Sequence, residues 1–207
     1  MNIWMLDEVL PVARQANIGS PTEGLGTIME VYGSLESVSL VTLAPELAGS
    51  LDAIQSLSSQ GILVSMGHSM GTIEDGLNGR QAGARLVTHL FNAMPPFHHR
   101  DPGLVGLLGV DEHLRPCYSI IADGLHCHPA AAKIAYHAHP TGAVLVTDAM
   151  PAMGLGEGTH TLGEMVVDVR GIRATITGTG QYALAWDQKH AAPPIIPFTH
   201  CHCLALW

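Results

Sequence analysis

Five segments of this chain, Val38 to Leu43, Ile62 to Met66, Leu86 to Leu90, Tyr118 to Ala122 and Ala143 to Thr147, are short runs rich in Val, Ile and Leu. Each has strand length rather than helix length. The stretches between them carry helix periodicity instead. Ser50-Leu-Asp-Ala-Ile-Gln-Ser-Leu places Leu51, Ile54 and Leu57 on one helix face behind an N-cap at Ser50, and Gly61 closes it. Thr72 to Gly83 predicts a second helix, weakened by internal glycine, and Pro129 to His137 a third with Pro in its first turn. A shorter helix is expected over Thr27 to Tyr32. Strands alternating with helices specify an α/β fold with a parallel sheet.

The 207 residues suffice for one such domain, and 47% hydrophobic against 13% charged side chains is a globular balance. A formal charge of −9 argues against nucleic acid or an anionic membrane as partner. An anionic substrate would then depend on a few placed cations. Thirteen His against three Phe point towards metal chemistry, since imidazole is the commonest protein ligand for transition metals. Cys117, Cys127, Cys201 and Cys203 form no C-x-x-C, so neither a disulfide framework nor a zinc ribbon is suggested. Met1 to Arg14 lacks the basic start of a signal peptide, and no run approaches the roughly 20 apolar residues of a membrane span. These features predict a cytoplasmic protein.

Polar residues gather where the predicted strands end: Met66-Gly-His68-Ser69, Thr88-His89-Leu-Phe-Asn92, Ala122-Asp123-Gly-Leu-His126 and Thr147-Asp148-Ala149. Chemistry at the C-terminal ends of several strands is the habit of a βα barrel. No G-x-G-x-x-G follows the first strand and no G-x-x-x-x-G-K-[ST] occurs, which removes the best support for a nucleotide-binding open sheet. Five units are fewer than eight, so a partial (β/α)8 (TIM) barrel is expected. Downstream, Gly163 to Ile176 predicts a hairpin around Arg170-Gly171. The tail from Thr179 is broken by Ala191-Ala-Pro-Pro-Ile-Ile-Pro and reads as irregular, and the crowded His200, Cys201, His202 and Cys203 lack the spacing of a structural zinc site.

His68 and His89 fall at adjacent strand ends, and Asp148 on a later one can face them. Two imidazoles and a carboxylate suit metal-assisted hydrolysis, in which the metal acidifies a water and the Asp moves its proton. His126 is suited to polarising a substrate carbonyl. Any one of these His residues taken alone is more simply a structural imidazole. Four compatible residues at successive strand ends favour the site.

The runs Val41-Thr-Leu-Ala-Pro-Glu46, Ser65-Met-Gly-His68-Ser69, Thr88-His-Leu-Phe-Asn-Ala-Met-Pro95, Arg100-Asp-Pro-Gly103, Ile121-Ala-Asp-Gly-Leu-His126 and Leu145-Val-Thr-Asp-Ala149 resemble the N-acetylglucosamine-6-phosphate deacetylases of the amidohydrolase superfamily. The likeness runs in order from about Thr27 to Gly178, and Phe97-His-His-Arg-Asp-Pro-Gly and Pro151-Ala-Met-Gly-Leu-Gly resemble the animal enzymes most. The resemblance implies His68 and His89 as metal ligands, Asp148 as general base and acid, and His126 at the acetyl carbonyl. It also implies Asn92 and Ala93 along the sugar-phosphate site and Arg100 at the phosphate. Between Leu86 and Ala132 the fixed cations are Arg100 and Arg115, and a guanidinium suits bidentate phosphate binding. The plainer alternative for Arg100 is a solvated charge pairing with Asp101.

The resemblance also implies a third metal ligand, a Glu within His-Leu-Glu-Gly-Pro, and that motif is absent here. Glu46 lies at a different strand end and is expected to serve nearby backbone donors. Early strands, a small β-sandwich domain and C-terminal helices of the family are likewise missing, which divides the chain into a divergent segment 1–33, a barrel portion 34–178 and a divergent tail 179–207. The reading is therefore hydrolysis of the acetamido group of N-acetylglucosamine 6-phosphate, with two alternatives: an inactive fragment of that enzyme, or another amidohydrolase acting on a different amide. The implied cofactor is a divalent metal, zinc first, with iron, cobalt or nickel also compatible. The implied partner is a small amino-sugar phosphate, with no nucleic acid or membrane, and a homodimer is the oligomer the resemblance suggests.

Overall fold

The computed structural model of the protein describes residues 24–147, 155–162, 165–170, 173–177 and 182–183. Five strands, β1 (Leu40–Leu43), β2 (Leu63–Met66), β3 (Leu86–Val87), β4 (Cys117–Ile120) and β5 (Ala143–Leu145), form one sheet. Every neighbouring pair is parallel, and the strands lie side by side in sequence order. That order contains no reversal, and so no switch point of the kind at which open doubly wound sheets bind nucleotides. Helix α1 (Gly24–Tyr32) precedes β1; α2 (Ser50–Ser59), α3 (Ile73–Ala82) and α4 (Pro129–Ala138) lie in the connections, with a 3₁₀ segment at Gly103–Gly109.

The register assigns each side chain to a face. Val41 pairs with Val64, Leu43 with Met66, Met66 with Val87, Val87 with Tyr118 and Tyr118 with Ala143, so these residues share one side of the pleat. Against this side pack Ala53, Ile54 and Leu57 of α2, Ala132 and Ala135 of α4, and Leu104 and Leu107 of the 3₁₀ segment, making one apolar core. The opposite side differs in chemistry. Thr42, Ser65 and Ser119 project there, together with Thr88 just past β3, and the Thr88 hydroxyl lies 3.0 Å from that of Thr42 and 2.6 Å from that of Ser65.

Two local findings refine the expectations from sequence. The N-cap of α2 is Gly49 at φ 77°, not Ser50; Ser50 is the first helical residue, because the preceding turn needs a left-handed residue at that point. The glycines that weaken α3 are sites of close approach. A Cβ on Gly79 would lie 2.6 Å from Met66 Sδ and 3.0 Å from Pro45 Cβ, and one on Gly76 would lie 2.9 Å from Leu104 Cδ2. The ends of α3 offset this weakness: Thr72 and Asp75 form a reciprocal capping box, and Gly83 at φ 122° closes the helix.

A second sheet, in order β6 (Gly158–Leu162), β7 (Met165–Arg170), β8 (Arg173–Ile176) and β9 (Tyr182–Ala183), is antiparallel. The β7–β8 pair is the expected hairpin, with Arg170 opposite Arg173. Val167 and Val169 are buried while Val166 and Arg170 are exposed, the alternation of a strand with one covered face. Among the described residues no helix is long and apolar enough to cross a membrane, and Cys117 and Cys127 are both free thiols.

Gly79→Ala separates two opposed effects. Helix propensity alone would stabilise α3 by about 1 kcal/mol, whereas overpacking against Met66 and Pro45 costs about 1–3 kcal/mol. A net loss of about 1 kcal/mol is expected, read as a lower urea midpoint at unchanged slope; a stabilised variant would contradict the close packing of α3 on β2.

Candidate active site

Because the five strands are parallel, their C-terminal tips emerge at one end of the sheet, and residues just past them become neighbours. The β2 tip is Gly67-His68-Ser69. Its Gly67 amide still donates to Leu43 O at 3.2 Å, and a Cβ on Gly67 would lie 2.8 Å from Thr88 Cβ, so only glycine lets the two tips close up. The β3 tip runs from Thr88 to Ala93. Past the strand two bonds still reach β4, one to a side chain and one to the backbone: the His89 amide donates to Ser119 Oγ at 2.7 Å and the Leu90 amide to Ser119 O at 2.8 Å.

His68 and His89 both have left-handed backbones, at φ 48° and 30°, and Phe91 and Ala93 follow at 78° and 50°. Each such residue costs about 1–3 kcal/mol and persists only where its surroundings over-determine it. The conformation turns the two rings towards each other. Nε2 of His68 lies 2.8 Å from Nε2 of His89, with ring centroids 4.7 Å apart and planes inclined by 60°. One of these nitrogens donates and the other accepts, so the contact as it stands uses one neutral ring. His89 is buried, and its Nδ1 has no hydrogen-bond partner among the described residues.

Glu46, just beyond β1, does not join them. Its Oε2 accepts from Ser69 Oγ at 2.6 Å and its Oε1 from the Met70 amide at 2.7 Å, so this carboxylate pins the loop that carries His68. Among the described residues no group of three or more His, Cys, Asp and Glu is arranged to hold a metal ion. Asn92 caps the turn it sits in, its amide nitrogen donating to the carbonyls of His89 at 3.3 Å and Leu90 at 3.4 Å.

Beyond β4, Asp123 organises the loop to His126. Its Oδ1 accepts from the amides of Leu125 at 2.8 Å and His126 at 2.9 Å, and its Oδ2 lies 2.7 Å from His126 Nδ1. Burial pushes the Asp123 carboxyl up, but the His126 ring and these two amides outweigh it and hold the group below its ordinary 3.8. Arg100 stands in an exposed loop, and its guanidinium makes no ion pair or hydrogen bond among the described residues. The alternative pairing with Asp101 is not seen. Asp101 Oδ1 instead accepts from the amides of Ile73 at 3.0 Å and Gly103 at 3.2 Å, anchoring the start of α3. Asp148, the expected general base, lies outside the described residues.

The structure thus brings His68 and His89 into contact, places Asn92 and Ala93 in the turn after His89, and sets His126 on the loop beyond the neighbouring strand. Sequence reasoning missed Ser119 and Asp123 as supporting groups. Ser119 is the lone aliphatic hydroxyl inside Tyr118-Ser-Ile-Ile-Ala, and Asp123-Gly124 is a recognisable turn signal three residues before a histidine.

No family model matches the chain. It is 56% identical over 160 residues to the N-acetylglucosamine-6-phosphate deacetylase of Danio rerio, covering 75% of this chain and 39% of that protein. It is 52% identical over 155 residues to the Homo sapiens enzyme of the same name, covering 73% and 38%. The solved structure of the Mycobacterium smegmatis deacetylase in complex with N-acetyl-D-glucosamine-6-phosphate superposes with a TM-score of 0.69 at 34% identity, over 81% of this chain and 43% of that one. The chain therefore spans about two fifths of the length of the curated relatives it matches, and over that stretch it is homologous to these deacetylases.

Ser119→Ala leaves the buried His89 amide without its acceptor, which costs about 1–3 kcal/mol. Urea unfolding should show that loss, and native-state hydrogen exchange should show faster exchange at the His89 amide. Unchanged protection there would mean that Ser119 does not hold the β3 tip.

Proposed function

We propose that this chain carries the metal-binding arc of a (β/α)8 barrel, within residues 34–178, and that it hydrolyses the acetamido group of N-acetylglucosamine 6-phosphate to glucosamine 6-phosphate and acetate. The observation that carries the reading is the convergence of His68 and His89 at 2.8 Å from two adjacent strand tips, in a stretch homologous to the deacetylases. Sequential parallel order with the apolar core on one face of the sheet supports the barrel arc.

The donor set fits a divalent cation in part. Two imidazole Nε2 atoms converge, and the buried Nδ1 of His89 can carry the proton that leaves its Nε2 free to ligate. They supply two of the three protein ligands that a catalytic zinc ordinarily takes. Zinc leads, and iron, cobalt or nickel suit the same nitrogens. When bound, such a cation would polarise the acetamido carbonyl and acidify a water. In this reading Asp148 takes the proton of the attacking water and gives it to the departing amine as the C–N bond breaks, so that acetate keeps the water oxygen. His126 contacts the carbonyl oxygen, Asn92 and Ala93 line the sugar-phosphate site, and Arg100, uncommitted to any carboxylate among the described residues, receives the phosphate. A reducing, cytosolic setting suits the free cysteines, and the resemblance suggests a homodimer.

The test is acetate release from N-acetylglucosamine 6-phosphate by the full chain. Asp148→Asn should retain metal and lose roughly 10²–10⁴-fold in turnover, and His89→Ala should lose metal and turnover together. Release that survives Asp148→Asn undiminished, or no release from the metal-loaded parent chain, would overturn the assignment.

A further inference from the structure

We propose that Asp123 is a positioning residue that fixes the tautomer of His126, so that Nε2, the nitrogen left for the substrate, carries a proton only when the ring is an imidazolium. The substrate end of this inference rests on the function proposed above; the tautomer does not.

Asp123 commits both of its oxygens. Oδ1 is taken by the amides of Leu125 and His126, and the turn is opened by Gly124 at φ 77°, a conformation glycine adopts without strain. Oδ2 is thereby aimed at the ring, 2.7 Å from Nδ1. The side chain of Asp123 is 9% exposed and that of His126 20%, so water competes little for this contact. An ionised carboxylate is acceptor-only, and the carboxyl is held below its ordinary range. Nδ1 must therefore be the donor, and the single proton of the neutral ring resides there. Nε2 makes no hydrogen bond among the described residues and in the neutral ring carries a lone pair.

That placement sorts the partners Nε2 can take. A lone pair faces a hydroxyl or water proton favourably and a carbonyl oxygen unfavourably. Polarising a carbonyl needs an N–H, which this ring offers at Nε2 only after a second protonation, with the Asp123 carboxylate facing Nδ1 at 2.7 Å. Asp123 thus makes His126 a charged donor to the carbonyl rather than a neutral one.

Asp123→Asn inverts the arrangement while keeping the loop. The amide oxygen can still accept from the Leu125 and His126 amides, leaving the NH₂ facing Nδ1 as a donor. The neutral ring must then accept at Nδ1 and carry its proton on Nε2. Long-range ¹H–¹⁵N correlation spectra of the full chain, recorded without metal or substrate and with the pH raised until the His126 ¹⁵N shifts no longer change, distinguish the two nitrogens of the neutral ring. The expected result is the Nδ1–H form in the parent and the Nε2–H form in Asp123→Asn. The Nε2–H form in the parent, or the same tautomer in both chains, would overturn the proposal. A kinetic arm addresses the substrate: Asp123→Asn and Asp123→Ala should each lower kcat by roughly 10–100-fold, by analogy with outer partners of metal-bound histidines, with KM changed less than threefold. An undiminished kcat in Asp123→Asn would overturn the charged-donor role. Absence of turnover in the parent would count against the proposed function, and the spectra would still decide the tautomer.

Discussion

Sequential parallel pairing is the constraint on which the rest of this structure depends. With β1 to β5 side by side in chain order, every strand delivers its next residues to the same end of the sheet. Glu46, His68, His89 and Asp123 lie at most three residues past their strands, and that closeness to a hydrogen-bonded ladder holds them where short side chains can meet. The helices and the 3₁₀ segment bury the apolar side of the pleat, which leaves the other side free for small hydroxyls.

Those hydroxyls have a mechanical role. Strand β3 has two residues, too few for its own ladder to hold the strained turn beyond it. The Thr88 hydroxyl ties it to β1 and β2, and Ser119 receives the His89 amide from the other side. Four left-handed residues outside glycine, at 68, 89, 91 and 93, are the conformational cost of bringing two imidazoles together. Glu46 belongs to the same scheme: it is spent on Ser69 and Met70 and so supports His68 instead of competing for a place beside it.

Much of this was legible in the sequence because it rests on local rules. Apolar runs marked all five parallel strands, and period and capping marked α2, α3 and α4 within a residue or so. The run Leu86 to Leu90 predicts one strand, but regular strand geometry ends at Val87, since His89 turns left-handed and Leu90 faces the core. β6, Gly158–Leu162, escaped notice because Gly-Thr-His-Thr-Leu has almost no apolar signal and owes its pairing to β7. His68 and His89 could be selected by chemistry and position. Asp123 left a local turn signal, whereas Ser119 and the engagement of Asp101 with α3 acquire their roles from partners that only the folded chain supplies.

The two strand-tip imidazoles are proposed to form one metal-binding locus. Calorimetric titration of zinc into the metal-stripped full chain tests it most directly, in parallel with His68→Ala. One site per chain is expected in the parent, and loss of that site in the variant. Binding of equal stoichiometry and affinity in His68→Ala would contradict it, and would show that the convergence of these rings serves the fold rather than a metal.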